Sequence, residues 1–180
     1  MTSLHRETRE TDVRVTLEPE AGEIRIATGD GFLDHMLATL ARHAGWTLAI
    51  EASGDLRHHR VEDVALTLGA AVRGAFTGAR ARFGQRMIPM DDALVEVALD
   101  WSGRPYCEAP LPSRLYEHWM RSFATEAGLT LHVRVIRGRD RHHVIEAAFK
   151  ALGLALRQAL AEADTEASTK GAVRWDGRSC

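Results

Sequence analysis

Two short stretches carry most of the chemistry this sequence can do. His58-His59-Arg60-Val61-Glu62 and His142-His143-Val144-Ile145-Glu146 both read His-His-x-x-Glu, 84 positions apart, and each opens an apolar run with helical spacing. On a helix the first His and the Glu stand at i and i+4 and share a face, while the second His points about 100° away. One such helix can give two ligands to one metal ion and a third to another. Two such helices make a near-symmetric dinuclear site.

Other histidines extend the set. His35 and His43 lie two turns apart on one face of a predicted helix, with Thr39 between them. His35 joins the ligands, whereas His43 alone reads better as a hydrogen-bonded structural histidine. His132 sits in an alternating strand whose side the sequence leaves undecided. The candidate metal ligands are therefore His35, His58, His59, Glu62, His132, His142, His143 and Glu146, six imidazoles and two carboxylates. Shared evenly, they leave open positions on each ion, which distinguishes a catalytic site from a closed structural one. Such ligands suit Zn, Fe, Ni or Mn and do not choose among them. Asp34 and Asp63 are candidate acceptors for ligand ring N–H groups, with helix N-terminal charge as an equal alternative. Arg82, Arg104, Ser168 and Lys170 suit a phosphate dianion, although each in isolation is an ordinary surface residue. Lys150, at i+4 from Glu146, can simply pair with that carboxylate.

These side chains must be positioned by short strands and helices. Val13–Leu17 and Glu23–Ala27 alternate as half-buried strands, and Phe32, Leu33, Met36, Leu37 and Leu40 follow at helical spacing. Trp46–Ile50 is a strand, and a helix runs from about His58 to Phe76. After a basic loop, Arg80 to Arg86, come strands at Ala93–Asp100 and Pro105–Ala109, joined by the turn Ser102-Gly103-Arg104. A helix over Ser113–Ala127, a strand over Leu129–Val135 and a last helix from about His142 to Ala161 complete the order, and residues 1–11 read as a polar arm. Each half thus runs strand, strand, helix, strand, helix, with a boundary near residue 88, as an internal duplication would. The expected fold is α+β: one domain over residues 1–180, its helices packed between two sheets.

Composition narrows the setting. The 180 residues are 45% hydrophobic and 27% charged, the balance of a globular chain long enough to bury a proper core. A net charge of −2 provides no basic field for nucleic acid or an anionic membrane. Cys107 and Cys180 fit reduced thiols in a cytoplasm, and no apolar stretch approaches membrane-spanning length.

The sequence also resembles the imidazoleglycerol-phosphate dehydratase family in ordered blocks over nearly its whole length. They include Arg6-x-Thr8-x-Glu10-Thr11, Gly31-Phe32-Leu33-Asp34-His35-Met36-Leu37, His58-His59-x-Val61-Glu62-Asp63 and Arg82-Phe83-Gly84. Others are Ser102-Gly103-Arg104-Pro105, Leu131-His132, His142-His143-x-Ile145-Glu146-Ala147-x-Phe149-Lys150 and Ser168-Thr169-Lys170-Gly171. The resemblance implies a ribosomal S5 domain 2-like fold and two Mn(II) ions per active site on the eight ligands. It implies substrate contacts from Glu10, His43, Arg82, Arg104, Lys150, Ser168, Thr169 and Lys170, with Glu10 the first candidate for the proton transfers and a metal-bound water or a histidine the second. It further implies a homo-oligomer of 24 subunits with active sites between subunits, in the cytoplasm, dehydrating D-erythro-imidazoleglycerol phosphate in histidine biosynthesis. In the mechanism it implies, the substrate ring bridges the metals as an imidazolate and expels the adjacent hydroxyl through a diazafulvene-like intermediate. Three departures stand out: a shorter segment before His58, Asp140 where Asn is usual and Ala167 where Pro is usual. The alternatives are a dinuclear hydrolase and a non-enzymatic metal-stapled oligomer.

Overall fold

Alternation of side chains decides where the strands lie. In the computed structural model, which describes residues 1–164, β1 (Thr2–Glu7), β2 (Thr11–Glu18), β3 (Ile24–Ala27) and β4 (Thr47–Gly54) form one sheet in the order β1-β2-β4-β3. Val13, Val15 and Leu17 of β2 are buried, while Arg14 between them faces solvent. The second sheet repeats the plan with β5 (Phe83–Met90), β6 (Ala93–Asp100), β7 (Tyr106–Glu108) and β8 (Thr130–Arg137), in the order β5-β6-β8-β7. In each sheet only the last pair, β3 with β4 and β7 with β8, is parallel.

Four helices fill the space between the sheets: α1 (Gly31–Ala44), α2 (Arg57–Ala75), α3 (Arg114–Ala127) and α4 (Arg141–Ala159). They pack across the halves, α1 on α4 and α2 on α3. One glycine permits each close approach. A Cβ on Gly153 would stand 2.6 Å from the Leu40 carbonyl oxygen, and one on Gly69 would stand 2.6 Å from that of Phe123. Trp119, Phe123 and Phe149 are fully buried, and Trp119 lies against both phenylalanines. Truncating such a side chain to alanine costs about 3–5 kcal/mol. Among the described residues, no helix is long and apolar enough to cross a membrane.

Two elements differ from the sequence expectation. Residues 2–7 are not an arm but an edge strand, paired antiparallel with β2. The supposed basic loop contains the start of β5, so each half opens with an additional strand and the second half begins at Phe83. An edge strand needs partners on one side only, and the outward His5, Glu7, Gln85 and Met87 conceal its period from a search for apolar runs.

Candidate metal centres

The helix starts converge at one end of the helical layer. Asp30 caps α1 by accepting the N–H groups of Phe32 and Leu33, and the same carboxylate receives Arg57 Nε of α2 at 2.5 Å. Asp140 caps α4 through the His142 N–H. Phe32 stands edge-on to both Tyr116 of α3 and His142 of α4, tying the four N-termini together.

At this end the chain assembles two clusters of two histidines and a glutamate, and a third group of Glu10, Asp55 and His59, each with its ligand atoms within 4.8 Å of one another. In the first, His35 Nε2 and His142 Nε2 lie 3.2 and 3.0 Å from one oxygen, Oε2 of Glu146. Lys150 Nζ holds the other oxygen at 2.9 Å. Burial alone would push the Glu146 carboxyl up; hydrogen bonds from Lys150, His35 and His142 outweigh it and hold the group at about 2. In the second cluster, His58 Nε2 is 3.7 Å from Glu62 Oε2, and His118 Nε2 is 3.3 Å from Glu62 Oε1. The His58 and His118 rings stack at 5.0 Å. His118 Nε2 is buried without a hydrogen-bond partner, an atom that a cation would satisfy. Rings converging on one carboxylate, one of them through a buried nitrogen that makes no hydrogen bond, fit a divalent ion with positions left open.

His59 and His143 face away from both clusters, as the helical angle requires. Each donates its Nδ1–H to an aspartate, His59 to Asp55 at 2.9 Å and His143 to Asp92 at 2.8 Å. Those bonds raise both imidazoles above the usual histidine value. Asp92 also accepts the N–H groups of Arg139 and Asp140, and with His143 first among the causes it is held at about 2. Asp55 and Asp92 therefore orient rings, one of the two roles open to Asp63 and Asp34; Asp34 takes the other, in the first turn of α1. Asp63 instead binds Arg6 Nη1 at 2.8 Å and the Thr11 hydroxyl, and Asp34 accepts the Thr28 N–H at 2.9 Å. The Thr11 bond fixes the turn in which Thr8 Oγ1 accepts the Glu10 N–H, leaving the Glu10 carboxylate exposed, 3.5 Å from His59 Nδ1.

Of the expected ligands, His35, His58, Glu62, His142 and Glu146 stand in the clusters, His59 and His143 turn away from them, and His132 lies elsewhere. Leu131 and Val133 point into the core, so strand parity turns His132 to the outer face of β8, against Tyr106. His118 completes the second cluster with His58 and Glu62. His35 and His118 are 83 positions apart, close to the spacing of the two His-His pairs, and that duplication was the signal available for it. His43 donates Nδ1–H to the Thr39 carbonyl of its own helix and meets neither cluster. Arg82 makes a two-point contact with Asp100 beside the end of α4, and Arg104 is exposed in the turn before β7. Ser168, Thr169 and Lys170 lie outside the described residues. A further group, His5, Glu7 and Asp12, stands on the first sheet with Arg14 3.3 Å from Asp12.

Comparison with known proteins agrees with this architecture. The family model for imidazoleglycerol-phosphate dehydratase matches residues 28–156. The imidazoleglycerol-phosphate dehydratase of Zymomonas mobilis is 47% identical over 88% of this chain and 89% of its own length. That of Desulforamulus reducens is 43% identical over 87% of this chain and 88% of its own. Among solved structures, the Pyrococcus furiosus dehydratase superposes with a TM-score of 0.85 at 38% identity, covering 94% of this chain and all of that one.

Proposed function

The chain belongs to the imidazoleglycerol-phosphate dehydratase family, lyases of histidine biosynthesis, and from that premise we propose how its own residues divide the dehydration between them. The two clusters hold two divalent cations per active site, Mn(II) being the first choice. The ligands are His35, His58, His59, Glu62, His118, His142, His143 and Glu146, with His118 in place of His132. Bound there, two dications stabilise the deprotonated form of the substrate's imidazole ring at neutral pH. The observation that carries this reading is the convergence of His35 and His142 on one Glu146 oxygen, repeated by His58 and His118 around Glu62.

The remaining residues act on the triol phosphate chain. Glu10, exposed and anchored by its Thr8–Thr11 turn, takes the proton from the carbon next to the one that loses hydroxide. Proton and hydroxide leave together as water, and the resulting enol rearranges to the ketone of imidazole-acetol phosphate. Arg82, oriented by Asp100, joins Arg104, Ser168, Thr169 and Lys170 on the phosphate and holds the reacting carbons in place.

Distances within the chain support sites shared between copies. From Glu146 to Ala159, beside Arg82, α4 rises about 20 Å. The eight residues of β8 separate the start of α4 from the Arg104 turn by about 25 Å. Both spans from the Glu146 cluster exceed the reach of an arginine side chain, which favours phosphate arginines supplied by a neighbouring copy. His59 and His143, facing outward, each serve the three-donor cluster of a neighbour. The working particle is a homo-oligomer of 24 subunits in the cytoplasm, each subunit a single domain over residues 1–180.

Metal analysis coupled to a dehydration assay, before and after chelation, tests the proposal. Two metals per subunit and activity that chelation abolishes and Mn(II) restores are expected. An apoprotein that still dehydrates the substrate would sink it, and cleavage of simple phosphoesters without dehydration would point to a hydrolase instead.

A further inference from the structure

We infer that the two metal positions bind unequally, the Glu62 cluster filling first and the Glu146 cluster last, because Lys150 occupies half of the Glu146 carboxylate. The inference rests on the metal-binding reading above. The two clusters match donor for donor: His58 with His142, Glu62 with Glu146, His118 with His35. The likeness ends a single helical turn further on. Four residues after Glu146 stands Lys150, whose Nζ lies 2.9 Å from Glu146 Oε1 and 3.5 Å from Met90 Sδ. Four residues after Glu62 stands Leu66, at the same half-buried depth. Among the described residues, only His58 and His118 make ion-pair contacts with Glu62.

Charge then separates the two positions. Glu146 and Lys150 together sum to zero before any cation arrives, whereas the Glu62 cluster keeps its full negative charge. A cation against Glu146 Oε2 also sits one carboxylate's width from an ammonium group. Glu146 is far more buried than Glu62, with side chains 9% and 34% exposed. Burial strengthens the attraction of the carboxylate and the repulsion of the ammonium alike, so net charge decides. Two unit charges about 5 Å apart at a partly buried site are coupled strongly enough to change an equilibrium on the order of tenfold or more. Denticity acts in the same direction. Glu62 turns one oxygen to each of its histidines, but Glu146 has only Oε2 to give. The buried His118 nitrogen, 3.3 Å from Glu62 but without a hydrogen bond, adds a further gain on the Glu62 side alone.

Equilibrium dialysis of the chelator-stripped protein against graded Mn(II), with elemental analysis of the bound metal, reads this directly. Two classes of bound Mn(II) differing by about tenfold or more in affinity are expected, with Glu146→Gln removing the weak class and Glu62→Gln the tight one. Lys150→Met should strengthen the weak class until the two approach each other, while Leu66→Lys should weaken the tight class. The two substitutions act in opposite directions, so a general loss of structure cannot imitate both. Two classes of equal affinity, loss of the tight class in Glu146→Gln, or a gap unchanged in Lys150→Met would each overturn the filling order. These outcomes leave the metal-binding reading standing; only a protein that takes up no Mn(II) removes that as well.

Discussion

The His35–His142–Glu146 cluster and the His58–His118–Glu62 cluster are made by the same steps in the two halves of the chain. Each takes a first His and a Glu from the start of one long helix and a ring from the start of a shorter helix of the other half. In each pair a glycine, Gly153 or Gly69, lets the helices approach to backbone contact. The surroundings differ. α4 has an aspartate cap and α2 has none, and where α4 carries Lys150 the equivalent position of α2 carries Leu66. What duplicated tightly is the geometry that fixes donor against donor; the neighbouring charges diverged because no backbone contact constrains them.

The largest expected effect concerns the donors themselves. Glu146→Gln should lose about half of the bound metal and reduce turnover more than about a hundredfold, measured by elemental analysis and dehydration assay. His118→Ala should behave in the same way and His132→Ala should retain its metal; the reverse result would restore His132 to the ligand set. Next come the aspartates that orient the outward rings. Asp92→Asn and Asp55→Asn should each weaken metal retention about 10- to 100-fold. In metal-free protein the His143 imidazole sits above its ordinary value, so it stays protonated to higher pH. The stabilisation from that charge is complete below the unfolded-state value near 6.5 and fades as pH rises through the folded one. NMR titration should show the ring's midpoint falling in Asp92→Asn, and an unmoved midpoint would break the assigned cause.

Smaller effects test the scaffold. Gly69→Ala and Gly153→Ala should each cost about 1–3 kcal/mol in denaturant unfolding, since each Cβ would press on a carbonyl oxygen at 2.6 Å. Unequal losses would show that one helix pair yields where the other does not. Asp30→Ala removes the α1 cap and should cost about 1 kcal/mol. Burial pushes the Asp30 carboxyl up, but Arg57 and the capped N–H groups together leave it below its usual value. Its contribution is therefore present above about pH 4 and lost as pH falls further. The difference between wild type and variant should shrink in the same range.

Much of the site was legible because two ligands and a helix share a period. His-His-x-x-Glu states both the residues and their angle, and the structure separates the first His from the second as that angle requires. His118 was hidden because it stands as a single histidine between Glu117 and Trp119, in a helix whose amphipathic pattern explains itself without a metal. His132 lies apart from the clusters because a strand places a side chain on one face or the other, and the burial of Leu131 and Val133 decides which. The edge strands escaped for a related reason: β1 buries too little for its alternation to show as an apolar run. Asp55 and Asp92 orient rings from loops, where no helical or strand period points at them. The helix layer, by contrast, followed from spacing alone.

If Arg82 and Arg104 grip the phosphate in a neighbour's site, as proposed, mixed particles would complement one another. Under the proposed sharing of sites, a chain disabled at Glu146 and another disabled at Arg104 would each be inert in a uniform particle. Assembled together, they can still place an intact carboxylate from one opposite an intact guanidinium from the other. Two dead alleles in one cell would then yield living enzyme, and diluting the particle into single chains would silence even the wild type.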